Sequence, residues 1–154
     1  MTNLTAVPGF TPVPELETST LALGGPGGPM NSQAQALLNQ VSNLRFYDLT
    51  VGCTGKPAAN AIIFTFKAPR PFALPTNLTG STGIANTAAT ASTVFTINYN
   101  GSSMGSITFA ASGTVPTFTL TAVAVDAGDV ITIVAPGTQD ATLADIGFTL
   151  VGAL

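Results

Sequence analysis

Apolar and polar positions along this chain follow two different periods, and the change falls near residue 46. Ahead of it, Ala34, Leu37, Val41 and Leu44 recur three and four apart, the a/d spacing that keeps one stripe of a helix apolar. Gln33, Gln35, Asn39, Gln40, Ser42 and Asn43 fill the other faces. The stretch predicts a helix with Asn31 or Ser32 as its N-cap and an end near 44–46. About two heptads of helix are marginal alone in water, so the stripe must pack, either against copies of itself or on the rest of the chain. The pattern favours self-association.

From Phe46 onward the period is two. Runs at 46–51, 61–67, 72–74, 93–99, 104–109, 117–121, 129–134 and 146–151 read as strands. In the fourth run, Val94, Thr96 and Asn98 fall on one face and Phe95, Ile97 and Tyr99 on the other. Asn100-Gly101 between two such runs is a hairpin signal, and Asp126-Ala127-Gly128-Asp129 and Ala135-Pro136-Gly137 mark further tight turns. The small, polar stretch 79–92 reads as a loop. About eight short strands with regular turns predict a mainly β fold, an antiparallel β-sandwich of jelly-roll type. Abundant threonine suits half-exposed strand positions.

Residues 1–30 differ from both regions. Pro8, Pro12, Pro14, Pro26 and Pro29 fix φ and remove backbone donors, so this arm is expected to be extended. Phe10, Val13, Leu16, Leu21 and Leu23 make it too apolar for a freely solvated tail, and docking along a partner is the favoured reading. Gly24, Gly25, Pro26, Gly27 and Gly28 form a hinge where the chain can turn sharply. The glycine spacing is not a nucleotide loop: no strand precedes it, no lysine follows, and Pro26 and Pro29 remove amide donors a phosphate would need. The expected organisation is an arm and hinge at 1–30, a coiled-coil-like helix at 31–45 and a β-sandwich head at 46–154.

Charge sharpens this picture. Charged residues make up 7% of the 154, against about 25% in an ordinary soluble domain. A chain this poor in charge is expected to hide much of its surface against copies or neighbours. The net charge of −3 leaves no basic patch to release counterions from a nucleic acid. No apolar run approaches the roughly 18 residues of a membrane span, and the start of the chain lacks the basic flank and apolar stretch of a secretion signal. A terminal lipidation box is not present either.

Candidate chemistry is sparse. The chain has no histidine, which removes the commonest general base and metal ligand. Cys53 is the single cysteine, excluding an intrachain disulfide, and reads as a small buried hydrophobe. Asp126 and Asp129 share a turn that could contribute oxygens to Ca²⁺, but turn formation alone explains Asp and Gly there. Asp140 and Asp145 are expected to serve turn and strand-end solvation, and no opposed carboxylate pair of the kind a glycosidase needs stands out. Tyr47 and Tyr99 are the amphipathic aromatics available for stacking on a sugar, and the phenylalanines read as core. Triplets at Asn3, Asn77 and Asn100 match the glycosylation pattern and are read as chance. No catalytic residue, cofactor or metal site is expected.

The segment ELETSTLALGGPGGPMNSQAQALLNQVSNL (15–44) resembles one that recurs in tail-fibre and related appendage proteins of tailed bacteriophages, where a Gly-Gly-Pro-Gly-Gly hinge leads into an Asn- and Gln-rich helix. The stretches TVFTINYNGSSMGSITFA (93–110), AGDVITIVAP (127–136) and DATLADIGFTLVG (140–152) are similar to small jelly-roll heads of such proteins. The resemblance implies a non-enzymatic virion component assembled in the host cytoplasm, commonly a homotrimer. Its helices would bundle through Ala34, Leu37, Val41 and Leu44, its arm would dock to other virion proteins, and its head would face neighbours or a host-surface glycan. No nucleic acid or membrane is an expected partner. A capsid decoration protein is the nearest alternative, and an independent carbohydrate-binding module, monomeric with Tyr47 or Tyr99 in a groove, is the alternative from another class.

Overall fold

The structure, a computed structural model, describes residues 29–43 and 46–154. The expected docking arm (Phe10, Val13, Leu16, Leu21, Leu23), the hinge (Gly24, Gly25, Pro26, Gly27, Gly28) and Leu44 lie outside the described residues. The rest forms a helix and, separately, a β-body over Tyr47–Leu154.

The helix, α1, covers Pro29–Asn43. It starts ahead of the expected caps, so Asn31 and Ser32 fall inside its first turn. The reason is local: proline is tolerated in the first turn, where its missing N–H has no partner to lose and its φ is already helical.

Ten strands follow among the described residues: β1 (Phe46–Cys53), β2 (Ile62–Lys67), β3 (Phe72–Leu74), β4 (Thr82–Thr87), β5 (Thr93–Tyr99), β6 (Ser102–Phe109), β7 (Pro116–Leu120), β8 (Val123–Val125), β9 (Val130–Val134) and β10 (Ala144–Ala153). They build two five-stranded sheets: one ordered β1-β10-β3-β8 with β4 also paired to β10, the other β2-β9-β5-β6-β7. Every pairing whose register is resolved is antiparallel. The pairs β1·β10, β2·β9, β3·β8 and β5·β6 are nested, as if one long hairpin had been rolled up. That is the jelly-roll arrangement, so the expected mainly β antiparallel sandwich is the fold observed.

Two strands were not foreseen. β4 lies within the stretch expected to be a loop, pairing from Ala144↔Thr87 to Thr149↔Thr82. Its composition carries almost no strand signal; the length of β10 supplies the partner that local propensity does not. Gly83 is required there, because a Cβ would fall 2.7 Å from Pro116 Cγ and 2.8 Å from Phe148 Cδ1. β8 is three residues long and is held by its pairing with β3, from Phe72↔Val125 to Leu74↔Val123.

Two of the three turn signals are met; at Ala135-Pro136-Gly137 the chain does not turn tightly, because the Ala135 N–H and the Pro136 carbonyl still pair with Ala61 and Asn60. Asn100 (φ 48°) and Gly101 (φ 84°) join β5 to β6 with both central residues at positive φ, the requirement of a two-residue type I′ hairpin. Gly128 (φ 97°) closes the turn before β9.

The inward face of the second sheet is written in cross-strand rows. Phe64, Ile133, Ile97, Gly105 and Leu120 stand opposite one another in order across β2, β9, β5, β6 and β7. Gly105 is forced by the row: a Cβ would lie 2.4 Å from the Thr119 carbonyl oxygen and 3.0 Å from Leu120 Cδ1. Phe95, Phe109 and Phe148 meet at the centre with ring centroids 6.0–6.1 Å apart, the separation and tilt that aromatic quadrupoles favour. All three are buried. A second aromatic group, Tyr47, Phe66 and Phe72, packs nearby, with the Arg70 guanidinium 5.6 Å from the Tyr47 ring centre.

Candidate self-association stripe and polar hubs

The stripe expected to form an oligomer seam is solvent-facing in the single chain. Ala34 is exposed, and Leu37 and Val41 are 53% and 55% exposed; at 100° per residue the three fall within one narrow face of α1. Ala36, on the far side of the helix, is buried, and Gln35 donates to the Asn39 side chain at 2.9 Å one turn on. The side of α1 that carries Ala34, Leu37 and Val41 is therefore open. Leu44, the fourth expected member, lies outside the described residues.

Three acidic residues of the β-body, Asp129, Asp140 and Asp145, act as turn locks. Asp140 accepts from the backbone N–H groups of Thr90, Ala91, Thr142 and Leu143 at 2.8–3.1 Å. It is approached as well by the Thr93 and Thr142 hydroxyls at 3.3 Å. The N–H of Leu143, followed by those of Thr90 and Thr142, holds its carboxyl far below the usual carboxylate range, since donors to the charged form stabilise it. One side chain thereby ties the 88–93 loop to the 140–143 loop.

Asp129 plays the same part at the other turn. It accepts from the Tyr99 hydroxyl in a short bond, from Asn100 Nδ2 at 2.9 Å and from the Asp126 N–H at 2.8 Å. The Tyr99 bond, then that from Asn100, lowers the Asp129 pKa and the same bond raises that of Tyr99. Its oxygens thus face donors, the reverse of what a cation needs; among the described residues no three His, Cys, Asp or Glu side chains gather as a ligand set. Asp145 accepts from the Gly55 N–H at 2.7 Å, and Gly55 returns its carbonyl to the Asp145 N–H at 3.0 Å. Asp140 and Asp145 therefore serve separate loops and do not form a pair. Cys53 is half-buried, and burial, then the Asp145 charge, pushes its thiol up, away from the thiolate a nucleophile would use.

Two open grooves lie on the β-body. One, of about 520 Å³, is edged by Thr90, Ser92, Val94, Pro136, Gln139 and Asp140. The other, of about 380 Å³, runs over β1, β4 and β10 between Thr50, Ile84 and Thr149, where Gly147 contributes no side chain. Neither Tyr47 nor Tyr99, the expected sugar-stacking rings, lines either groove; Tyr47 packs among phenylalanines and Tyr99 is tied to Asp129. Of the glycosylation triplets, Asn77 uses its Oδ1 to accept from the Leu120 N–H at 3.3 Å, Asn100 is engaged as above, and Asn3 lies outside the described residues. The local turn at Asp140, closed by the N–H groups of Thr142 and Leu143, was expected from the sequence; its tie to the Thr90 and Ala91 N–H groups, about fifty residues upstream, was not.

No protein-family model matches the chain, and no curated protein matches it.

Proposed function

We propose that this chain is a non-enzymatic structural subunit that works as a homotrimer, a short tail-fibre or baseplate appendage module of a tailed-phage virion. The observation that carries the reading is the open stripe of Ala34, Leu37 and Val41. Burying a Leu or Val side chain is worth about 1.5–3 kcal/mol, and roughly half of each is still on offer. Copies of the same stripe satisfy it by symmetry.

The arm through Phe10, Val13, Leu16, Leu21 and Leu23, with the hinge at Gly24, Gly25, Pro26, Gly27 and Gly28, attaches the subunit to neighbouring virion proteins. The head faces those neighbours or a host-surface glycan. The chemistry of the β-body supports a structural role: Asp129, Asp140 and Asp145 all spend their oxygens on turns, leaving them to brace loops. Work is done by buried apolar area and symmetry, with no turnover. Deleting residues 1–23 tests the attachment: the truncated protein is expected to keep its β-sheet circular dichroism yet fail to enter particles. Normal incorporation would remove the docking role.

A further inference from the structure

Asn100-Gly101 is the sole Asn-Gly pair in the sequence, and it sits in an exposed turn. In such a pair the Gly N–H meets little steric resistance in attacking the Asn side-chain carbonyl. The attack forms a bond from Gly101 N to Asn100 Cγ, expels ammonia and leaves a five-membered imide. Water then opens the imide to aspartate or isoaspartate, so the balance is amide plus water to acid plus ammonia.

The fold holds both ends of the Asn100 amide. Nδ2 donates to Asp129 Oδ1 at 2.9 Å, and Oδ1 accepts from the Val130 N–H at 2.9 Å. The Asn100 backbone N–H is also bonded, to the Val130 carbonyl at 2.8 Å. Asp129 is in turn fixed by Tyr99 and by the Asp126 N–H. The side chain therefore cannot rotate its Cγ toward Gly101 N without breaking two hydrogen bonds, one of them charge-assisted.

We propose that Asn100 is a spontaneous deamidation site kept latent by Asp129, and that it reacts only when the β5–β6 turn opens away from β9. The conversion is one-way in structure as well as in chemistry. A carboxylate at position 100 has no donor to offer Asp129, and two like charges would face each other across the turn. A subunit that has once opened and reacted cannot restore this lock, so the site records past opening of the head.

The test follows Asn100 by peptide mass mapping of the full chain during incubation at mildly alkaline pH. The parent is expected to deamidate at this position at least about tenfold more slowly when native than when unfolded in urea, the ratio expected from two hydrogen bonds, one to a charge. D129N, confirmed as folded by a cooperative thermal transition, is expected to lose most of that protection. Equal rates in native and unfolded parent would overturn the proposal. So would a folded D129N that stays as protected as the parent. If D129N does not fold, Y99F, which frees one Asp129 oxygen, supplies the intermediate rate.

Discussion

The β-body and the helix treat apolar surface in opposite ways. In the body, Phe95, Phe109, Phe148 and Leu150 are almost wholly removed from water by the chain's own two sheets. On the helix, Leu37 and Val41 stay more than half exposed. Leucine stands on both sides of the contrast, buried at Leu150 and exposed at Leu37, so residue type alone does not decide it. A jelly roll closes its core by nesting strand pairs far apart in sequence, whereas the described residues hold no second α-helix for this one to meet. The body buries its own core in one copy; under the proposed reading, the stripe on the helix is covered by copies of itself.

That contrast breaks most severely in the core. Phe148→Ala removes a ring that touches Phe95, Phe109 and Phe118, and is expected to cost about 3–5 kcal/mol in urea unfolding. A loss below about 1 kcal/mol would mean the centre is not the closed cluster described. Next in size, Gly105→Ala sets a methyl against the Thr119 carbonyl, with an expected cost of about 1–3 kcal/mol and partial detachment of β7 read by amide hydrogen exchange. Wild-type protection in β7 would show that the strand has room.

A smaller effect comes with acid. Asp140 and Asp129 have folded pKa values lowered mainly by the Leu143 N–H and by Tyr99, respectively. Between the unfolded value near 3.9 and the lower folded values, the unfolded chain binds protons that the folded chain does not. Their stabilisation is therefore full above about pH 5 and is lost as pH falls through the folded values. The melting temperature of the parent is expected to drop on acidification, and D140N, lower at neutral pH, is expected to converge on the parent as pH falls. A D140N deficit that stays constant into acid would contradict the carboxylate's role. Smallest of all, Lys56→Ala removes an exposed bond to the Ala141 carbonyl and is expected to change stability by no more than about 0.5 kcal/mol.

The strands richest in Val, Ile and Phe were legible because alternation there reports directly on a sheet with one buried face. Thr93–Tyr99 of β5 and the Asn100-Gly101 turn were found at their positions for that reason. β4 was not, because Thr82–Thr87 owes its strand state to β10 and its glycine to the neighbouring Phe148 ring, and neither cause is local. The nesting of β1 with β10 and β2 with β9 is likewise set by distant partners. Of the candidate site, the placement of Ala34, Leu37 and Val41 on one helix face followed from spacing alone. The turn roles of Asp129, Asp140 and Asp145 were legible too, but the distant loops that Asp140 and Asp145 hold were not: a hydrogen bond from a backbone N–H leaves no mark on the sequence of the residue that donates it.

Sedimentation equilibrium on the 154-residue protein, beside its L37D/V41D variant, tests the proposed seam most directly. The parent is expected at three times the chain mass of 15.4 kDa, and the variant at the mass of one chain with the melting transition of its β-body intact. A parent that sediments as a single chain at every concentration, or a variant that stays trimeric, would contradict the assignment of that stripe as the seam.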